Sequence, residues 1–535
     1  MKKHKITFSL FVLLFFVAVV FGMFLYRLFA KLHTFYTLEA ERELIQNFRA
    51  VQRKPNIYPD YSDTVIPFNI APLNFLVQEK GTYYYLKIFS KPNELIELFC
   101  KVPKITISQN QWHRVLRANK GRKLFIEVFV KDENNHWNKF LALSNKIAPE
   151  GIDKYLIYRK IDPLYSKWKD MGIYQRNLQN YDESPVLTNR FDDGVCVNCH
   201  AFCANRPDTM SIAIRSTKHG SNTLFVQNDK VEKIAAKFSY TSWHPTGRVA
   251  LFSINKVTQF FHSVRSEVRD VIDLDSLIAY YHVKSKTVKT IPDFSRKDRL
   301  ETYPAWSPDG GYLYFCCADK FSSKQDKYPP PWYDKVKYDL FRVSYDIEND
   351  HWGNLETILT AQNTGLSILE PRISPDGRWL LFCMCDYGAF PVYQKSSDLY
   401  LIDLKTAQKT GQYEYHHLNI NSDQSESWHS FSSNSRWIAF SSKRDYDVFT
   451  RIYLSYIDEN GKVYKPLLLP QKDPTFYDSY LKTFSVPELV VSPVGNTNEE
   501  LSKAIRDSRK INVNMPVTMA SPKAGMPSES WQERE

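Results

Sequence analysis

The sequence predicts a mainly β protein: an N-terminal transmembrane helix, then a small β-sandwich-like domain, then a β-propeller. Three observations carry this. An uncharged apolar run opens the chain, aromatic and β-branched residues crowd short segments bounded by turn signals, and one segment recurs four times in the second half. The chain has 535 residues, of which 43% are hydrophobic and 24% charged. That is too long for one compact core and too apolar for a disordered polymer.

Ile6 to Tyr26 is uncharged throughout, and as a helix it rises about 31 Å, the thickness of a bilayer's hydrocarbon core. No small-residue cleavage site or lipobox cysteine follows Gly22, so the run reads as an uncleaved anchor within residues 1–31. Lys2, Lys3 and Lys5 hold the short end in the cytoplasm, which predicts a single-pass inner-membrane protein with its bulk in the periplasm. These lysines, with Arg27 and Lys31, supply five positives of the net +11 before the first acid, Glu39. Beyond it the charges are interspersed, with no basic stripe for nucleic acid.

Residues 32–56 read as a linker helix. Residues 57–149 alternate strand-like runs (Tyr83 to Phe89, Lys123 to Val130) with turns such as Asn119-Lys120-Gly121, the pattern of a small β-sandwich. Residues 150–209, rich in Tyr, Arg and Asp without periodicity, read as an irregular connector. From 210 to 492 the repeat dominates. TSWHPTGRVALFSI (241–254), PAWSPDGGYLYFCCA (304–318), PRISPDGRWLLFCMC (371–385) and HSFSSNSRWIAFSSK (429–443) align without gaps. Each is followed by a second strand of the D-L-Y-L type, as at 398–401. Pro-Asp-Gly makes a tight turn, and the strand after it is apolar at consecutive positions, so both its faces must be buried. A sheet covered on both faces without helices is a propeller blade packed between its neighbours. Segments 210–229 and 475–490 are expected to complete a ring of six, with loops such as 322–337 on the rim, where an envelope protein or redox partner would bind. Residues 493–535 read as a disordered tail.

One motif carries chemistry. Cys196-Val197-Asn198-Cys199-His200 is a C-x-x-C-H sequence, the c-type haem attachment pattern: two thiols add to the vinyl groups of one porphyrin and the histidine becomes the proximal iron ligand. The motif and the anchor agree on an extracytoplasmic location and predict one covalent haem c held by Cys196, Cys199 and His200. Met210 is the candidate distal ligand, with His219 and His244 behind it. Two other readings stay open, a C-x-x-C thiol pair and a zinc site on Cys196, Cys199, His200 and Cys203. Cys316, Cys317, Cys383 and Cys385 lie in blade strands and read as small buried hydrophobes. No G-x-S-x-G, H-E-x-x-H or P-loop occurs, which leaves open whether the chain is an enzyme.

The W-S-P-D-G turns (Trp306 to Gly310, Ser374 to Gly377) with their following strands resemble the TolB-like propeller repeat. Together with Tyr58 to Phe75, Ile173 to Leu178 and Asn189 to His200, they resemble a group of Gram-negative envelope propellers labelled cytochrome c biosynthesis or TolB-like translocation proteins. The resemblance implies an F-H-x-R segment after the haem motif. Here Ile212-Ala213-Ile214-Arg215 keeps the arginine and lacks the histidine. The function this implies is electron transfer or haem-dependent redox work, the alternative being a protein-interaction scaffold of the envelope without redox activity.

Overall fold

The computed structural model describes residues 45–513, apart from 92–94, 164–168, 263–268, 292–294, 297 and 322–328. The expected anchor, Ile6 to Tyr26, lies outside the described residues, as does the tail from 514 onward. Among the described residues no helix is long and apolar enough to cross a membrane.

Residues 155–490 form six four-stranded antiparallel blades, a β-propeller. Blade 2 runs from Val195–Cys203 through Arg206–Ser216 and Gly220–Gln227 to Lys230–Ile234. Blades 3 to 6 begin with Ser239–Trp243, Arg299–Trp306, Ser367–Ile373 and Glu426–Phe431, each the innermost strand of its blade, and one parallel bridge between Ser276 and Leu300 joins blades 3 and 4 into a continuous sheet. Blade 1 is a composite. Its three outer strands, Tyr155–Ile161, Gly172–Asn177 and Glu183–Thr188, come from the start of the ring, and its innermost strand, Thr483–Val490, comes from the end. The six innermost strands touch in cyclic order, so the ring is closed.

The blade core lies between successive sheets, as the doubly apolar strands require. Ile157 and Ile173 pack on Val195 and Val197, Phe225 on Phe238 and Trp243, Leu251 and Tyr280 on Trp306, and Cys316 and Leu340 on Ile368 and Phe382. The serine of each S-P-D-G turn explains its recurrence. Ser307 O accepts the N–H of Gly310 (2.9 Å) while its hydroxyl accepts that of Tyr312 (2.9 Å), and Ser374 and Ser432 repeat the arrangement. Gly310 must be glycine twice over. Its φ is +76°, and a Cβ there would fall 2.1 Å from Nε2 of His244 in the preceding blade.

Three sequence expectations are corrected. Residues 150–209 are not an irregular connector: they supply the outer strands of blade 1 and the innermost strand of blade 2. The aperiodic aromatic and charged residues are those of strands half covered by neighbouring parts. Residues 57–149 supply six strands of a seven-stranded mixed sheet, whose seventh, Arg49–Val51, falls in the expected linker helix, together with a three-stranded sheet and the helix Gln109–Ala118, rather than a sandwich. Trp112, Val115 and Leu116, at helical spacing, are buried in one apolar cluster with Leu86, Ile88 and Ile126 of the sheet. Finally, Asn498–Arg506 in the expected tail is a helix with a capping box between Thr497 and Glu500. It buries Leu501 and Ile505, and Ile511 bridges to Ile234.

The N-terminal sheet docks on the last blade. Tyr58 shares a 2.6 Å hydrogen bond with Tyr446, Ser433 donates its N–H and hydroxyl to Asp153 (2.8 and 2.6 Å), and one apolar cluster runs from Ile66 and Trp112 to Trp437 and Leu454.

Candidate functional site

Every innermost strand breaks its pairing register at a residue with a left-handed backbone. These are Cys199 (φ +50°), Tyr240 (+48°), Tyr303 (+53°), Glu370 (+55°), Trp428 (+49°) and Val486 (+52°). Such bulges bend a strand and re-aim its side chains, and each non-glycine residue held there costs about 1 kcal/mol or more. Six occurrences in phase make the bulge part of the architecture. The side chains it presents converge on the axis: the rings of Tyr240 and Trp428, from blades 3 and 6, stack at 6.0 Å across the ring, with Tyr303 4.5 Å from Tyr240.

The C-x-x-C-H sequence falls on this bulge. Position by position, Cys199-His200-Ala201-Phe202 matches Tyr303-Pro304-Ala305-Trp306 and Trp428-His429-Ser430-Phe431, so His200 and His429 occupy one place in the repeat. His200 is 4% exposed, and neither ring nitrogen makes a hydrogen bond of good geometry, although the backbone of Val486 is close by. Burial, with the charges of Arg159 and Arg372, pulls its pKa down to about 3. Cys196 is fully buried beside Ile161 and Met171 and accepts a hydrogen bond from Arg215 (3.5 Å). Cys199 is half-buried.

These residues do not fit a covalent haem as the strand holds them. A helical C-x-x-C-H turns all three groups to one side, because positions i, i+3 and i+4 share a helix face. Here Cys196 pairs with Arg215 and His200 with Ile212, and those partners point to opposite faces of their strand, so Cys196 and His200 do too. Met210 is also misplaced as a distal ligand. It pairs with Phe202, projects from the same face as His200, and packs against Ile157, Ile212 and Val226. Two side chains standing parallel on one face cannot take opposite axial positions on one iron. His219 is bound to Asp192 (2.7 Å), and His244 to Thr246 (2.8 Å) with its ring against Trp306. Cys203 donates to the His244 carbonyl (3.4 Å).

The sequence reading missed a set of buried and half-buried ionisable groups around the axis. Asp273 accepts from Asn255 (3.1 Å) and Tyr338 (3.3 Å), and burial pushes it up to about 7. Lys237 is drawn down to about 8 by burial and by Arg215. Glu370 and Glu488 rise to about 7 by burial, tempered by Arg372, and burial takes His429 down to about 3. These residues come from four blades, so spacing in the sequence gives no sign of them. The bulge phase, once recognised, points to most.

The titrations predict a pH dependence. Between pH 7 and 8 an unfolded chain's carboxyls are ionised and its histidines largely neutral. The folded chain still holds a proton on Glu301, which burial raises to about 8 even though the backbone N–H groups of Ile278 and Arg296 donate to its carboxylate and pull the other way. The folded state then binds more protons than the unfolded, so stability falls as pH rises, by on the order of 1 kcal/mol per pH unit for such a group. The urea midpoint is expected to drop between pH 7 and 8, and Glu301→Gln to flatten that drop. A midpoint rising over this interval would contradict the assignment.

No family model and no curated protein matches the chain. Among solved structures it is similar to a luciferin-regenerating enzyme (11% identity, TM-score 0.33, covering 59% of this chain and 86% of that one). It is also similar to the oligogalacturonate lyase of Vibrio parahaemolyticus (11%, 0.32, 72% and 100%) and to puromycin hydrolase (13%, 0.30, 59% and 45%). The chain thus spans less than half the length of the hydrolase. At these values the likenesses carry nothing about activity, and the blade count rests on the strand pairing.

Proposed function

We propose that the chain is a membrane-anchored, periplasm-facing propeller of the TolB-like kind that works as an interaction scaffold of the cell envelope, without a redox step. The observation that carries this is the strand pairing of blade 2, which sets Cys196 and His200 on opposite faces and gives the C-x-x-C-H sequence an architectural role as an inner-strand bulge. In support, the blade signature at Trp306 to Gly310 and Ser374 to Gly377 is TolB-like, and the apolar run Ile6 to Tyr26 suits an inner-membrane span. The partner would be an envelope protein engaging the propeller rim.

A second reading has one observation in its favour. The two buried, unbonded ring nitrogens of His200 are what an axial iron ligand would offer, so haem c on Cys196, Cys199 and His200 stays the rival, with electron transfer as its role. One measurement separates them. The intact mass of the full chain, made in a host with working haem-attachment machinery, is expected to equal the bare polypeptide. A mass heavier by one haem, lost in the Cys196→Ser/Cys199→Ser variant, would overturn the scaffold reading.

A further inference from the structure

We propose that Glu370, Cys383 and His429 form a Zn²⁺ site buried between blades 5 and 6, independent of any reading of the C-x-x-C-H sequence. The three come from separate strands: Glu370 at the bulge of blade 5, Cys383 on the next strand paired with Leu369, and His429 just after the bulge of blade 6. Their donor atoms all lie within 4.8 Å of one another, and all three residues are buried. Cys383 Sγ is 3.6 Å from Glu370 Oε2 and 3.6 Å from His429 Nδ1. A tetrahedral zinc ion with bonds of about 2.3 Å to sulfur and about 2.0–2.2 Å to nitrogen and oxygen has ligand–ligand edges of about 3.6 Å. The two edges from the sulfur already stand at that spacing, and the third, between carboxylate and imidazole, is within 4.8 Å.

Two further features point to a ligand. His429 Nε2 donates to the carbonyl of Leu381 (3.1 Å), which fixes the tautomer and turns the Nδ1 lone pair toward the sulfur. An outer hydrogen bond of this kind orients most metal-binding histidines. Glu370 Oε2 accepts the N–H of Trp428 (2.6 Å), while Oε1 is buried without a hydrogen bond, on a side chain 5% exposed. A plain hydrogen-bonded triad leaves that oxygen unexplained. A thiolate and a carboxylate together neutralise a divalent cation, which suits an apolar setting, and the sulfur selects zinc over magnesium or calcium.

The test uses the full chain, loaded with excess Zn²⁺, desalted and assayed for metal, with a parallel Co²⁺ loading read by absorption. The expected result is about one zinc per chain, a sulfur-to-cobalt charge-transfer band, and at least a tenfold loss of both in Cys383→Ala. The Cys196→Ser/Cys199→Ser variant should keep the metal, which separates this site from the motif cysteines. A folded wild type that retains no zinc and shows no such band overturns the proposal, whatever the variants do. A band that survives Cys383→Ala overturns it as well.

Discussion

A chain ending at Lys482 is expected to lose its cooperative fold. The cut removes Thr483–Val490, the innermost strand of blade 1, and with it the pairing to Tyr155–Ile161 along its length. It also removes the buried Phe484, Leu489 and Val490, and then Leu501 and Ile505 of the C-terminal helix. Each such side chain contributes about 1.5–3 kcal/mol by burial, so together they approach the whole net stability of a typical domain, about 5–15 kcal/mol. Blade 1 would keep three strands with an open inner edge. A chain ending at Val513 keeps every one of these contacts and should melt like the full chain. Near-UV circular dichroism and urea titration of the two truncations decide the matter, and a sharp native-like transition in the shorter one would show that closure is dispensable.

Arg451→Met is the point substitution with the largest expected effect, a loss of about 2–5 kcal/mol. Arg451 is 1% exposed, and its guanidinium donates to the carbonyls of Lys482 (2.5 Å) and Tyr480 (2.8 Å), pinning the segment that leads into the closing strand. The rings of Tyr446, Phe449, Tyr477 and Phe484 surround it at 4.9 to 5.8 Å. Methionine keeps the apolar stem but takes the donor from two part-buried carbonyls, each worth about 1–3 kcal/mol where water cannot replace it. Lysine should recover little, since one ammonium cannot reproduce a planar fork. The urea midpoint reads the effect, and a drop no larger than that of a surface substitution would mean that the closing segment holds without this anchor.

The repeat was the most readable part of the sequence, because Pro-Asp-Gly turns and doubly apolar strands leave a pattern that no insertion erases. Blade 1 was unreadable because its strands are more than three hundred residues apart in the chain, and no local pattern reports such a pairing. Blade 2 was hidden differently. His200-Ala201-Phe202-Cys203 is in phase with His429-Ser430-Phe431-Ser432, but the C-x-x-C-H spacing drew the same residues toward a helical haem turn. The helix Asn498–Arg506 did leave a signal, Thr497 three residues before Glu500 with Leu501, Ala504 and Ile505 on one face, and the polar composition around it masked it. The grouping of Glu370, Cys383 and His429 depends on strand register between two blades, which spacing cannot give.

The composite blade has a consequence for how the chain is made. Tyr155–Ile161 leaves the ribosome early, yet its inner-edge partner is among the last segments of the ring to be synthesised. At a typical rate of about 5–20 residues per second, the interval runs from tens of seconds to about a minute. Through that time, and through any passage across a membrane, the strand presents an unpaired edge next to apolar side chains, the arrangement that invites pairing with a neighbouring nascent chain. The blade that comes first in the sequence is therefore the last to be completed. Its exposed edge makes the unfinished protein a natural client for a holding chaperone, more so than any other part of the propeller.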